Sequence, residues 1–214
     1  MTARLISWSQ SPDNKTLLEQ VAYAARVSNP ENQHANETAE KLVRYLITHK
    51  HWSPLEMVSV CLEVETTRDI ARQLLRHRSF SFQEFSQRYA FGTTLGFDTR
   101  ETRLQDLKNR QNSIETNDMI LQTEWARRQL EMIDVSRDMY TWAIEHGIAK
   151  EQARVILPEG LTRSRLYVNG TLRSWIHYIQ LRSANGTQKE HQAVAIACAN
   201  AIAEVFPMIR EFLE

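Results

Sequence analysis

Cysteine is scarce in this 214-residue chain, with Cys61 and Cys198 alone. Two cysteines cannot build a disulfide scaffold, so a reduced, cytoplasmic protein is the expectation. Glycine and proline are also few, at 6 and 5, which excludes collagen-like and linker-rich designs. Net charge is missing as well: 26 Lys and Arg balance 26 Asp and Glu. Without a basic excess, general binding to nucleic acid or a membrane surface lacks its electrostatic basis, although a local basic patch remains possible. No apolar run approaches the ~20 residues of a membrane-spanning helix. Residues 1–10 mix Arg4, Ser7, Ser9 and Gln10 with apolar residues, unlike a signal peptide.

What is present is an ordinary core-forming composition, 42% hydrophobic and 24% charged. Residues 3–8 read as a short strand. Leu17, Leu18, Val21, Ala22 and Ala25 recur at helical spacing over 14–26. Ala39, Leu42, Val43, Leu46 and Ile47 make an amphipathic helix over 37–50. Val58, Val60, Leu62 and Val64 alternate with polar residues, the clearest strand signal in the chain. Helical spacing returns over 67–77. Residues 79–85 read as irregular and 86–91 as extended. Residues 92–117 read as a polar insertion with some strand. A long helix over 118–146 stops at Gly147. A helical turn over 150–157, a strand over 161–169 and helices over 171–182 and 188–205 complete one α+β domain, residues 1–214, with antiparallel strands expected from the irregular alternation.

The densest polar chemistry lies between Gln73 and Arg88. Gln73, Arg76 and His77 fall at i, i+3 and i+4, one face of a helix. An extended 86–90 would point Ser86 and Arg88 to one side. Arginine forks bind phosphate in pairs of hydrogen bonds, and hydroxyls fill the remaining acceptor sites, so a small phosphorylated ligand suits the segment. Basic residues complementing a helix C-terminus are the plainer explanation.

Arg76-His77-Arg78-x-x-Ser81-x-x-x-x-Ser86-x-Arg88 matches the RHRxxSxxxxSxR signature of the flavin-dependent thymidylate synthases (the ThyX family) at every fixed position. Ala24 to Ser28, His51 to Glu56, Ala153 to Pro158 and Arg173 to Arg182 resemble further family segments in the same order. The resemblance implies an α+β fold with an antiparallel sheet flanked by long helices. It implies methylation of dUMP to dTMP with FAD, 5,10-methylenetetrahydrofolate as carbon donor and NADPH as reductant. It also implies a homotetramer with active sites where subunits meet.

By position, Gln73, Arg76, Glu84, Ser86, Arg88, Arg154 and Arg182 would bind dUMP, with Arg154 reaching in from a neighbouring subunit. Ser86 and Arg182 would serve catalysis, Ser86 by orienting the pyrimidine rather than attacking it. Ser28, Ser53, Glu56, His77, Arg78, Arg173 and His177 would line the flavin region. Met57, Thr171 and Gly186 depart from the family's pattern in that region. Neither cysteine has a flanking basic group to make it a nucleophile, so both read as packing residues.

His49 and His51 have no partner at ligand spacing, so no metal is expected. Phe80, Phe82, Phe85 and Tyr89 among arginines read as packing rather than as a base-stacking strip, because aromatics are only 8% and the charge is neutral. Trp125 and Trp142 on the long helix read as core or subunit interface. The alternatives are a non-catalytic nucleotide- or nucleic-acid-binding module with the same basic cluster, and a structural helical protein whose arginines are surface charge.

Overall fold

The chain, described over residues 1–213 in a computed structural model, runs β1 (Thr2–Trp8), α1 (Leu17–Ala25), α2 (Ala39–Thr48), β2 (Ser59–Thr67), α3 (Arg68–Leu74) and β3 (Ser81–Glu84). It continues through β4 (Arg103–Gln105), β5 (Ser113–Glu115), α4 (Met119–Glu145), α5 (Lys150–Ala153), β6 (Arg163–Thr171), α6 (Leu172–Ser183) and α7 (Lys189–Ile202). Short 3₁₀ turns at Ser53–Glu56 and Arg154–Ile156 carry two of the sequence segments singled out above.

Four strands form an antiparallel sheet in the order β1-β2-β6-β3. The alternation seen in the sequence sets its two faces. Val60, Leu62 and Val64 are fully buried beneath α6 and α7, with Leu166 and Val168 beside them on β6. The opposite face carries an ionic ladder: Arg163 donates to Glu65 at 3.0 Å, Arg165 Nε to Glu65 at 2.8 Å and Tyr167 Oη to Glu63 at 2.9 Å. Trp175 of α6 is fully buried and donates its indole N–H to the Val60 carbonyl at 2.9 Å. That bond satisfies the polar atom of the bulkiest core side chain.

α1 starts at a capping box, with Glu19 N donating to Thr16 Oγ1 at 3.3 Å and Thr16 N to Glu19 Oε2 at 2.8 Å. Asp118 caps α4 by accepting from Leu121 N at 3.0 Å. α4 has 27 residues and is therefore about 40 Å long. It packs through its C-terminal half, where Tyr140 and Ala143 meet Ala153 and Leu157. β4 and β5 form a separate two-stranded hairpin within the 92–117 insertion.

Three sequence expectations are corrected. The helix expected over 67–77 ends at Leu74, and Arg76 and His77 follow in i→i−3 turns. Residues 81–84 are a strand rather than irregular chain, because β6 supplies a partner edge that no local pattern reveals. Residues 86–91 are a turn rather than extended, since Tyr89 N and Ala90 N both donate to the Ser86 carbonyl, at 3.2 and 3.0 Å. Ser86 and Arg88 therefore belong to a turn and do not alternate along a strand.

Candidate functional site

α6 organises the region because it follows β6 without a linker. Thr171 is its N-cap, with Oγ1 accepting from Ser174 N at 3.3 Å. Gly170, one residue earlier, touches the aromatic ring that seals the strand end: a Cβ there would lie 2.3 Å from Phe80 Cδ1. Only glycine allows that approach. From this fixed start, α6 presents Arg173 and His177 on one face, and Tyr178 and Arg182, again four residues apart, on another.

On the second face, Arg182 Nε donates to His77 Nε2 at 3.0 Å. Burial and then the Arg182 charge push the His77 pKa down to about 4, so the ring is neutral and accepts. Gln73 enters the same cluster through its amide: Oε1 lies 3.2 Å from His191 Nδ1, and Nε2 donates to Gln188 Oε1 at 2.8 Å. Gln73, His77 and Arg182 are thus brought together. Arg76 is not on their face. It points outward with Arg78, because the helix has already ended.

Glu84 belongs to an adjoining ionic ring. It accepts from Ser164 Oγ at 2.9 Å and Arg72 Nη1 at 3.3 Å, and faces Arg68 Nη1 at 3.6 Å. Glu159 closes the ring on Arg68 Nε at 3.2 Å and Arg72 Nε at 3.0 Å. Burial alone would raise the Glu159 carboxyl, but the two guanidinium groups outweigh it and hold it below its ordinary value. Arg88 pairs with Glu151 of α5 at 3.3 Å, which sets the 86–89 turn beside the segment carrying Arg154. Most arginines of the chain have such a partner. Among the described residues, the guanidinium groups of Arg76, Arg78, Arg110, Arg154 and Arg210 have neither a side-chain hydrogen bond nor an ion pair, and of these only Arg76, Arg78 and Arg154 lie in the segments that resemble the family.

On the first face of α6, Arg173 pairs with Glu56, and His177 packs edge-on against Trp52 with ring centroids 4.4 Å apart. Partial burial and then Arg173 hold the His177 pKa below its ordinary value. The Ser53–Glu56 turn thus meets α6 and brings Glu56, Arg173 and His177 together, with the exposed Ser53 on the same turn. Ser28 stands apart, lining a cavity of about 470 Å³ with Arg26, Thr38, Lys41 and Tyr45. The buried Arg26 shapes that cavity by donating to the Ala35 carbonyl and Thr38 Oγ1, both at 2.7 Å.

Thr171 caps α6, Met57 is exposed, and Gly186 sits at φ +93°, where a side chain would strain the backbone. Trp125 and Trp142 are exposed rather than core. His146 closes α4 and stacks on Trp142, and Arg127 and Arg128 pair with Glu124 on a solvated face. His49 is exposed and stacks on Tyr45.

Sequence reasoning missed Arg68, Arg72 and His191. Arg68 and Arg72 at i, i+4 were a visible signal, but their partners Glu84 and Glu159 are distant in the chain. His191 also left a trace: it shares the helical spacing of Val194, Ala195 and Cys198, the buried stripe of α7.

The family described as thymidylate synthase complementing protein matches residues 5–208. A probable flavin-dependent thymidylate synthase of Paramecium bursaria Chlorella virus 1 is 50% identical over 216 residues, covering 100% of this chain and 99% of that one. The flavin-dependent thymidylate synthase of a Synechocystis species is 46% identical over 194 residues, covering 91% and 88%. Among solved structures, a UMP/dUMP methylase, PolB of Streptomyces cacaoi bound with 5-Br dUMP, superposes with a TM-score of 0.83 at 29% identity, over 99% of this chain and 93% of that one. With the motif set on a matching fold, the chain belongs to the flavin-dependent thymidylate synthase family.

Proposed function

We propose that this chain methylates dUMP to dTMP with bound FAD, 5,10-methylenetetrahydrofolate as carbon donor and NADPH as reductant, without a cysteine nucleophile. The observation that carries the reading is that Arg76, Arg78 and Arg154, all in the family segments, are unpaired in a chain whose other arginines are mostly neutralised, Arg110 and Arg210 outside those segments excepted. Unpaired guanidinium groups beside neutral hydrogen-bonding side chains suit an anionic ligand.

Arg76 and Arg154 clamp the nucleotide phosphate and pyrimidine, with Arg154 supplied by a neighbouring copy. Glu84, held by Ser164 and Arg72, offers an acceptor to a ligand N–H. Ser86 orients the pyrimidine. Its hydroxyl accepts from Arg88 N at 3.4 Å, and no carboxylate or imidazole contacts it among the described residues, so it lacks the base a covalent nucleophile needs. Arg182, anchored through Nε on the neutral His77, directs its remaining donors at a uracil carbonyl as negative charge develops. Burial pushes both thiols up, and the fully buried Cys198 most, which keeps them protonated.

The flavin region offers a fitting donor set: the unpaired Arg78, with Ser53, Arg173, His177 and Trp52 on one face and Ser28 at a separate cavity. FAD, when bound, supplies the redox chemistry, and these residues bind and orient it. The tetramer is part of the proposal. Along α4, Trp125, Leu130, Met132, Val135, Met139 and Trp142 are exposed, and Met139, Trp142, Ile148 and Val155 line an apolar cavity of about 460 Å³ next to Arg154. A surface of that kind calls for a partner.

An absorption spectrum tests the ligand set. Purified protein is saturated with FAD, freed of excess, and titrated with dUMP and separately with UMP. Retained flavin absorbance that shifts with dUMP supports the reading. A larger response to UMP would favour the broader UMP/dUMP activity named for the solved relative, and a colourless protein would favour a nucleotide-binding module.

A further inference from the structure

Gln73 has an amide that could face a ligand with either its oxygen or its nitrogen. A chain of hydrogen bonds fixes the choice from both ends. At the outer end, the Glu190 carboxylate pairs with Arg103 and can only accept. Burial alone would raise the Glu190 carboxyl, but the Gln188 hydrogen bond, a backbone N–H and Arg103 outweigh it, so it stays ionised. Gln188 must therefore donate Nε2 to Glu190 Oε2, at 2.9 Å, which leaves Gln188 Oε1 to accept from Gln73 Nε2 at 2.8 Å. Gln73 Oε1 then accepts from His191 Nδ1 at 3.2 Å, so Nδ1 carries the proton. At the inner end, the Tyr178 hydroxyl donates to the bare Nε2 of His191 at 3.1 Å.

His191 is fully buried, and burial followed by Arg182 and His77 lowers its pKa to about 3, which keeps it neutral. A neutral ring with one donor and one acceptor admits only this direction. The second hydrogen of Gln73 Nε2 has no acceptor among the described residues.

We propose that Tyr178 and His191 are positioning residues that hold the Gln73 amide so that it presents an N–H donor to an acceptor oxygen of the bound nucleotide. Neither touches the ligand; both act through Gln73. This inference rests on the nucleotide-binding reading above. It also gives the 92–117 insertion a role, because Arg103 and Glu115 of its hairpin anchor Glu190 and Lys189, which hold the outer end of the chain. With the hydroxyl of Tyr178 removed, His191 loses the donor that fixes its tautomer, and the Gln73 amide, held from the Gln188 end alone, is less well aligned on the nucleotide's oxygens.

The test is a double-variant cycle on FAD-loaded protein, with dUMP affinity measured by calorimetry for the unaltered chain, Tyr178→Phe, Gln73→Ala and the pair. Tyr178→Phe is expected to weaken dUMP binding about tenfold, and Gln73→Ala by about as much or more. The double variant is expected to be no weaker than Gln73→Ala alone, while the FAD content stays unchanged. A structural role for Tyr178 would instead give losses that multiply, and that result would overturn the proposal. If Tyr178→Phe does not fold, the ¹⁵N spectrum of histidine-labelled, unaltered protein decides the matter. A proton on Nδ1 of His191 is expected, and a proton on Nε2 overturns the proposal. If the unaltered protein binds no dUMP, the functional reading itself fails and this inference falls with it. Binding without coupling rejects the positioning role alone.

Discussion

Around the sheet, Val60, Leu62, Val64, Trp175 and Ile179 reach zero exposure, whereas along α4 Trp125, Leu130, Met132, Val135, Met139 and Trp142 keep between 42% and 55%. The arginines divide in a similar way. Arg163 and Arg165 on the sheet, and Arg68 and Arg72 beside it, are neutralised within the chain, while Arg76, Arg78 and Arg154 are not. One region satisfies its apolar and charged groups internally. α4 leaves apolar side chains uncovered although its arginines Arg127 and Arg128 pair with Glu124, and the unpaired Arg154 lies beside the apolar cavity of α4 and α5. Unburied apolar surface next to unpaired charge is what the proposed site between copies, with an anionic ligand, would use.

The largest expected effect comes from charging α4. Met139→Asp combined with Trp142→Lys should reduce the assembly to a 25.0 kDa species in sedimentation velocity and abolish turnover. An unchanged mass would remove α4 from the interface. Next, Arg76→Ala and Arg154→Ala should each raise the dUMP dissociation constant roughly ten- to hundredfold. Their melting temperatures should barely move, since neither guanidinium has a partner within the chain. A melting loss would make these arginines structural and erase the contrast with Arg68.

On the complete side, Gly170→Ala should cost about 1–3 kcal/mol in denaturant unfolding, because the new methyl collides with Phe80. The neutral histidines give a pH signature. The folded-state pKa values of His191 and His77, about 3 and about 4, lie below the ordinary 6.5, so the unfolded chain binds more protons in between. Their contribution is complete above about pH 6.5 and is lost as the pH falls through that window. Melting temperatures should drop between pH ~7.5 and pH ~5, before most carboxylates titrate. A flat profile would show the histidines to be solvated. The smallest effect is Thr171→Ala, which removes the α6 cap and should cost about 1 kcal/mol in the same unfolding measurement.

The complete region was also the more legible one. β2 announces itself by strict alternation and α2 by its apolar stripe, both written within single segments of chain. β3 does not, because a four-residue edge strand exists only through β6, more than eighty residues later. The extended reading of 86–91 failed for a related reason: the Ser86 carbonyl is used by Tyr89 and Ala90, a local bond that the alternating polar residues concealed. The resemblance put Gln73 and Arg182 with the nucleotide and His77 with the flavin, whereas the fold brings all three side chains together. Their mutual arrangement was not legible, because it depends on His191, Gln188 and Glu190 closing in from α7.

The most direct test of the account is dTMP formation. Protein stripped of flavin is given dUMP, 5,10-methylenetetrahydrofolate and NADPH, with and without FAD, and the nucleotides are separated and quantified. dTMP should accumulate with FAD and be absent without it. No dTMP with every component present, or equal dTMP without FAD, would contradict it.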